Sequence, residues 1–184
     1  MHLIAIGLVG LSISAAAQEI TLEDIWKKGT FRQKSVYGIR SMSDGNHYTI
    51  QGQSEDGNTV TMYEYATGDE VKQVMSEAGL KDISGDGEAT FSSYEFNADD
   101  KFMLLKYDVE SIYRRSSISK YWIVDLDNRE ARKLKEKGKQ RNATFSPDGS
   151  KIAYVEGNDL FIQDYKTGET TQVTNDGEKN KIIN

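Results

Sequence analysis

The feature that most constrains this chain is a ten-residue pattern that occurs three times. It reads FNADDKFMLL at residues 96–105, FSPDGSKIAY at residues 145–154 and, more weakly, SMSDGNHYTI at residues 41–50. Each copy contains the end of one strand, an acidic or Asp-Gly turn, one or two polar residues and an apolar strand, which together indicate a β-hairpin. The copies begin 55 and 49 residues apart. Recurrence at this length is typical of stacked supersecondary units, and the alternation of strand and turn is not that of a helical repeat.

A second element repeats at a similar spacing. Residues 63–71 read YEYATGDEV, residues 122–130 read WIVDLDNRE and residues 161–169 read FIQDYKTGE, each an aromatic-rich strand that leads into a polar turn. Blades of β-propellers repeat at roughly 40 to 50 residues and contain about four strands. We therefore predict an all-β fold, a partial β-propeller of about three four-stranded blades over residues 35–184.

Three blades leave two uncovered edges, because propellers close with about four to eight blades. The chain is therefore expected to be a piece of a longer protein. Its start is typical of a secretory signal peptide: residues 1–17 are apolar and end in Ala15, Ala16 and Ala17, a small-residue cleavage site. A buried N-terminal helix is the alternative interpretation. We expect an exported protein, either periplasmic or extracellular.

The composition excludes several kinds of site. The chain has no cysteine, so disulfides and thiolate metal sites are unavailable. Its net charge of −6 is scattered, with both signs interspersed, which argues against nucleic acid as a partner. Residues 129–141 form a basic run that also contains glutamates. We interpret this run as a solvated loop between blades in preference to a phosphate-binding patch.

Two short helical segments are predicted outside the strands. Residues 18–34 form a lead-in to the propeller, in which Thr21 stands three residues before Asp24 as in a capping box, and Gly29 is expected to end the helix. Residues 71–78 are predicted to form a helical turn before a glycine-rich stretch at residues 79–87.

The sequence supplies no catalytic set. His47 is the only histidine after the predicted signal peptide and is expected at the surface, and residues 52–56 miss the Gly-x-Ser-x-Gly pattern at its last position. Residues 82–87 resemble the start of a calcium loop, but the twelfth position is Ser93 where a bidentate Glu is needed. We predict no catalytic residue, no metal and no cofactor in this chain.

One candidate for binding remains in the connection between two strands. Arg114 and Arg115 are adjacent there, within the sequence YRRSS at residues 113–117. They are either ordinary surface charge or a clamp, because a guanidinium is a planar fork of donors that fits a carbonyl or carboxylate oxygen. The spacing alone does not decide between these alternatives.

Several segments resemble the dipeptidyl peptidase IV family of serine peptidases, a branch of the prolyl oligopeptidases. The resemblance covers nearly all of the chain after the predicted signal peptide, and the aromatic-arginine segment between two strands is its most specific part. The matching segments are residues 20–26, 30–32, 102–107, 113–117, 121–126, 145–155 and 158–160.

The resemblance implies a fold, an activity and partners. In the family an eight-bladed propeller caps a C-terminal α/β-hydrolase domain, and the enzyme removes dipeptides from peptide N-termini after proline or alanine. Arg114 matches the propeller arginine that donates to a substrate carbonyl oxygen, and position 115 is Arg where some members carry His. The paired glutamates that hold the substrate amino group, and the catalytic Ser, Asp and His, are expected after residue 184. The implied partners are a peptide N-terminus, the hydrolase domain and a second subunit in a homodimer.

Two other functions stay open from the sequence. The Ser-Pro-Asp-Gly hairpin at residues 146–149 is similar to those of TolB-like propellers, which would make the chain a periplasmic platform for protein interactions. A small β-sandwich that binds sugar would need exposed aromatic residues, whereas Trp26 and Trp122 are both explicable as packing.

Overall fold

The structure is a computed structural model that describes residues 20–32, 36–179 and 181. The predicted signal peptide, residues 1–17, lies outside the described residues. The chain divides into two compact units, Met1–Val36 and Tyr37–Asn184. None of the described helices is long and apolar enough to cross a membrane.

In the first unit, residues 20–32 and 36 are described, and they include one short helix, α1 (Leu22–Trp26). Thr21 is its N-cap, and both bonds of the predicted capping box form: the Asp24 N–H donates to Thr21 Oγ1, and the Thr21 N–H donates to Asp24 Oδ2, each over 3.1 Å. The helix predicted from these two residues is confirmed. The helix ends earlier than predicted, at Trp26 with Lys27 as C-cap. Gly29 lies two residues beyond the C-cap with φ +63°, a left-handed conformation that glycine adopts without strain.

The described residues of the second unit form twelve strands and one helix, and all strand pairs are antiparallel. This confirms the all-β prediction. In chain order the elements are β1 (Arg40–Ser41), β2 (His47–Ser54), β3 (Gly57–Glu64), β4 (Glu70–Ser76), α2 (Glu77–Ser84), β5 (Ser93–Phe96), β6 (Phe102–Tyr113), β7 (Ser116–Asp125), β8 (Glu130–Lys133), β9 (Gln140–Phe145), β10 (Lys151–Glu156), β11 (Asp159–Asp164) and β12 (Thr170–Gln172).

The strands group into three successive four-stranded meanders, in which each strand pairs with the next along the chain. We call β1–β4 the first meander, β5–β8 the second and β9–β12 the third. A single pair, Ser119 opposite Gln140, joins β7 to β9. The second and third meanders therefore share one eight-stranded sheet, a link that the repeat pattern does not predict.

The three predicted hairpins form with equivalent hydrogen bonds. The N–H groups of Gly45, Asp100 and Gly149 each donate to the carbonyl oxygen three residues earlier, over 2.8 to 3.2 Å. Consecutive turns also meet. The Ser43 N–H donates to Asp100 Oδ2 over 2.6 Å, and a Cβ on Gly149 would lie 3.3 Å from the Ala98 nitrogen.

Two apolar cores lie between consecutive meanders. The first core joins Val60 and Met75 of the first meander to α2 and to one face of the second. The second core joins the opposite face of the second meander to the third. Alternation along β6 divides the side chains between them, since Leu105 points into the first core and Leu104 into the second.

The helical turn predicted at residues 71–78 is wrong. Residues 70–76 form strand β4, paired along β3, and the helix begins at Glu77. Ser76 is its N-cap and accepts from the Gly79 N–H over 3.0 Å. Most of the glycine-rich stretch at residues 79–87 is therefore part of helix α2, whose C-cap is Gly85 with φ +67°. The helix forms because Ser76 satisfies a free N–H and Leu80 is fully buried.

The basic run at residues 129–141 is not a loop throughout. It contains strand β8 and the start of β9, and several of its cations have partners in other segments. Lys133 pairs with Asp86, Lys135 with Glu156 and Lys139 with Asp108, each within 3.1 Å. Charges bound in this way are not free to form a phosphate patch.

Candidate functional site

The adjacent arginines lie at the tip of the longest hairpin, formed by β6 and β7. Tyr113 pairs with Ser116, so that Arg114 and Arg115 are the two residues of the turn. Both are exposed, and Tyr113 beside them is 78% exposed. Neither guanidinium has a hydrogen bond or ion pair with any residue that the structure describes. Their donors are available to a ligand.

The strand that carries the arginines is bent by two bulges. The register of β6 against β7 shifts between Tyr107 and Glu110 and again between Ser111 and Tyr113. Asp108 lies in the first bulge with φ +48°, a conformation that Asp and Asn tolerate better than most residues. Bulges re-aim the side chains beyond them, and here they set the direction of the hairpin tip.

Two lysines bind the acidic side chains of the hairpin. Asp108 accepts from Lys120 and from Lys139, each over 2.9 Å, and Lys139 also contacts Glu110 at 3.4 Å. The hydrogen bond from Lys120, followed by that from Lys139, lowers the pKa of Asp108. The hydrogen bond to Asp108 in turn raises the pKa of Lys139. Because these acids are bound by lysines, they do not neutralise the arginines at the tip.

Aromatic packing holds the base of the same hairpin. Tyr107 stacks on Trp122 with ring centroids 5.4 Å apart, and the Lys133 ammonium lies 5.0 Å from the Trp122 centroid. Lys106 Nζ donates to Ser117 Oγ over 2.9 Å across the strands. Burial raises the pKa of Tyr107. The tip therefore projects from a base fixed by stacking and by cross-strand bonds.

The other residues considered for chemistry lie elsewhere. His47 begins β2 and is half-buried, with Nδ1 2.6 Å from Asp44 Oδ2; the hydrogen bond with His47 lowers the pKa of Asp44. Residues 82–87, which resemble the start of a calcium loop, span the end of helix α2. Asp82 belongs to the helix, and Asp86 lies beyond it and pairs with Lys133 over 3.1 Å. Among the described residues no three His, Asp or Glu side chains are grouped so as to hold a metal ion.

The structure also shows a cleft that the sequence analysis missed. It has a volume of about 670 Å³ and lies between the second and third meanders. Arg132 lines it and donates to the Tyr165 carbonyl oxygen, and burial lowers the pKa of Arg132. Its walls carry Lys101 and Lys166 as well as Asp125. These residues come from segments far apart in sequence, so no local motif marks the cleft.

Comparison with known proteins decides the family. The family described as the dipeptidyl peptidase IV (DPP IV) N-terminal region matches residues 97–184. Residues 97–184 belong to the dipeptidyl peptidase IV N-terminal region. This segment of the family contains the arginine hairpin and the whole third meander, which confirms the resemblance seen in the sequence.

Relatives of the same kind match most of the chain. It is 30% identical to prolyl endopeptidase FAP of Bos taurus over 174 residues, which are 94% of this chain and 21% of that protein. It is 30% identical to dipeptidyl peptidase 4 of Felis catus over 173 residues, covering 89% of this chain and 20% of that protein. The crystal structure of Porphyromonas gingivalis dipeptidyl peptidase 4 is 32% identical, with a TM-score of 0.67, and the match covers 89% of this chain and 23% of that one.

The chain therefore spans about a fifth of the length of these relatives. The turn between β6 and β7 lies in the segment that matches the dipeptidyl peptidase IV N-terminal region. Among the described residues it is the one turn that consists of two arginines. The role of Arg114 stays a prediction that rests on the position of this turn and on its free donors.

Proposed function

We propose that this chain is part of the N-terminal propeller of an exported serine dipeptidyl peptidase, with its three meanders as three of eight blades. In the whole enzyme, Arg114 binds the substrate and a C-terminal α/β-hydrolase domain supplies the catalytic Ser, Asp and His. The observation that carries the proposal is the arginine turn, whose guanidinium donors are free among the described residues and whose hairpin lies in the matched family region.

Arg114 acts in this proposal by positioning the peptide. A guanidinium forms charge-assisted hydrogen bonds with a carbonyl oxygen, and these are about twice as strong as neutral ones. A dipeptidyl peptidase cleaves after the second residue of its substrate, so the peptide main chain must be held at a fixed position relative to the catalytic residues. A fixed hydrogen-bond donor on the propeller provides this. Asp108 and Glu110 of the same hairpin are paired with lysines, so they do not compete with the substrate for the Arg114 donors.

The test uses the protein expressed from its reading frame extended past residue 184, with Gly-Pro-p-nitroanilide as substrate. Arg114→Ala is expected to lower kcat/KM by about 10- to 100-fold, the usual worth of a hydrogen bond to a charged group. Much of the loss should appear as a raised KM, because the carbonyl is bound in the ground state as well. Arg115→Ala is the matched control, one residue away and equally exposed, and is expected to change kcat/KM less than threefold.

Three results would contradict the proposal. One is an Arg114→Ala enzyme with unchanged kcat/KM. Another is an extended reading frame that encodes further blades and a stop without a Gly-x-Ser-x-Gly segment, which would favour the TolB-like platform. The third is hydrolysis by the 184-residue chain alone, which is expected to release no product. Export is tested separately by N-terminal sequencing of the secreted protein, which should begin at or near Gln18.

A further inference from the structure

The outer half of the arginine hairpin has no apolar core beneath it among the described residues. Every side chain of β6 from Asp108 to Tyr113 is exposed, and none from residue 108 to residue 118 is buried. Lys106 Nζ donates to Ser117 Oγ over 2.9 Å, but this bond joins the two strands of the hairpin to each other. Packing therefore does little to fix the direction of the hairpin tip, and polar contacts with other segments take on that role.

Three strands meet where this outer half begins. The first bulge of β6 places Asp108 and Val109 together opposite a single residue of β7, Ser119. On its other edge Ser119 pairs with Gln140 of β9. Ser119 is 0% exposed and Gln140 is 1% exposed. This buried pair is therefore a fixed point at which the hairpin is joined to the third meander.

The two lysines that bind Asp108 are the chain neighbours of this buried pair. Lys120 follows its first member and Lys139 precedes its second. Lys120 Nζ lies 2.9 Å from Asp108 Oδ2, and Lys139 Nζ lies 2.9 Å from Asp108 Oδ1, so that each carboxylate oxygen has its own ammonium. Lys139 also lies 3.4 Å from Glu110 Oε2. Lys120 belongs to the hairpin itself, whereas Lys139 directly precedes β9 and ties the hairpin to the third meander.

We infer that Lys139 is a positioning residue for substrate binding: through Asp108 it holds the arginine hairpin at a fixed angle to the third meander and so sets the position of the Arg114 donors. The inference rests on the proposed function, in which Arg114 binds the substrate. Lys139 itself does not touch the substrate. Its effect is transmitted because a donor displaced by about 1 Å forms a much weaker hydrogen bond with a bound peptide.

The ion pairs around Asp108 are partly exposed, so their effect is local. The side chain of Lys139 is 22% exposed and that of Asp108 is 42% exposed. Pairs of this kind contribute little to the free energy of unfolding of a whole domain, and their loss is expected to leave the fold intact. A hairpin without buried side chains lies at the low end of local stability. Loss of the lysine bonds should therefore loosen the hairpin while the meanders stay folded.

The first experiment is hydrogen exchange on the protein expressed from its reading frame extended past residue 184. Lys139→Met keeps the apolar stem and removes the charge, and exchange at residues 108–118 should accelerate by about threefold or more, with β10 and β11 unchanged. Asp108→Asn should do the same without disturbing the bulge, because Asn tolerates the φ of +48° as Asp does. Lys135→Met is the matched control. Lys135 lies four residues earlier and pairs with Glu156 over 3.1 Å, so its loss should leave exchange in the hairpin unchanged.

The second experiment measures hydrolysis of Gly-Pro-p-nitroanilide by the same variants. Lys139→Met should lower kcat/KM by about three- to tenfold, less than Arg114→Ala, because the donor is misplaced and not removed. The loss should appear as a raised KM with kcat nearly unchanged, since Arg114 acts in substrate binding. Lys139→Arg keeps a cationic donor and should restore kcat/KM to within about twofold of the wild type. Lys135→Met should change it by less than about twofold.

A double variant shows whether Lys139 acts through Arg114. In the Arg114→Ala background, Lys139→Met should cause no further loss of kcat/KM, because the donor that it positions is already gone. Losses that multiply in full would overturn the inference, as would hairpin exchange that neither Lys139→Met nor Asp108→Asn accelerates. A loss in Arg114→Ala together with unchanged kcat/KM in Lys139→Met overturns this inference alone. If Arg114→Ala itself has unchanged kcat/KM, the proposed function fails and the positioning role fails with it.

Discussion

At the scale of single residues, hydrogen bonds within the repeated turns fix the hairpins and join them. Asp148 is held by Ser146 Oγ at 2.6 Å and by the Ser150 N–H at 3.0 Å. Tyr165 reaches from the third meander to Asn97 of the second. The first set of contacts is local and the second spans 68 residues, so that the two respond to different perturbations.

Asp148→Asn is expected to change how stability depends on pH. The hydrogen bond from Ser146, followed by those from Ser150, lowers the pKa of Asp148 from 3.8 to about 2. A lowered carboxyl pKa stabilises the folded state fully above the unfolded value, and this stabilisation is lost as pH falls through the folded value. The difference in unfolding free energy between wild type and Asp148→Asn should therefore shrink between about pH 4 and pH 2. Urea unfolding at several pH values measures it, and a difference that is constant with pH would contradict the assignment.

Tyr165→Phe is expected to destabilise the fold by about 1 to 3 kcal/mol, because the buried Gly149 carbonyl oxygen loses its donor and Asn97 loses an acceptor. The matched control is Tyr65→Phe. Tyr65 has the equivalent position, but its hydroxyl meets the exposed Ser41, and its removal should cost less than about 0.5 kcal/mol. Equal losses for the two variants in urea unfolding would show that the bond between meanders contributes nothing beyond the local contact.

At the scale of elements, the sequence predicts strands and hairpins well where the pattern is local. The hairpins at residues 41–50, 96–105 and 145–154 and the helix at Thr21 are confirmed because turn residues and capping side chains act within a few residues. The boundary between β4 and α2 is wrong in the prediction because a strand paired to β3 replaces the local helical preference. The lysine bonds to Asp108 join segments up to 31 residues apart, which a hairpin pattern does not reveal.

Gly57→Ala tests how the β2–β3 turn and α2 fit together. Gly57 has φ +114°, and a Cβ there would overlap the carboxyl of Glu77, which is 8% exposed and accepts from Asn58 and from the Phe91 N–H. We expect the free energy of unfolding to fall by more than about 2 kcal/mol, because of backbone strain and because a buried carboxylate is displaced. Gly68→Ala is the control, since Gly68 has φ +75° and no atom within 4 Å. Its free energy of unfolding should fall only by the cost of a left-handed conformation for alanine, about 1 kcal/mol. Thermal unfolding that ranks the two variants equally would contradict this fit.

At the scale of the whole molecule, the sequence repeat predicts the order of the four-stranded units along the chain. It predicts only part of the contacts between them. The repeat predicts three units of four strands, and three meanders form. The link of β7 to β9 through Ser119 and Gln140, and the cleft lined by Arg132, depend on how neighbouring meanders pack. The sequence places the two arginines in the connection between two strands, but their position at the tip of a long hairpin and their free donors depend on strand pairing and on which acids the lysines bind. That choice is made in three dimensions.

Leu105→Ala tests how stability is shared along the meanders. Leu105 is 0% exposed in the first core, and its loss should cost about 2 to 5 kcal/mol through a cavity in the contact between the first two meanders. In stacked repeats each unit is stabilised mainly by its neighbours. Hydrogen exchange should therefore accelerate most in β2 and β3 and least in β10 and β11, which the second core still holds. Ile152→Ala, equally buried in the second core, is the matched variant and should reverse that order. If hydrogen exchange accelerates equally in all three meanders for both variants, the meanders unfold as one cooperative unit. That result would contradict the interpretation as stacked repeats.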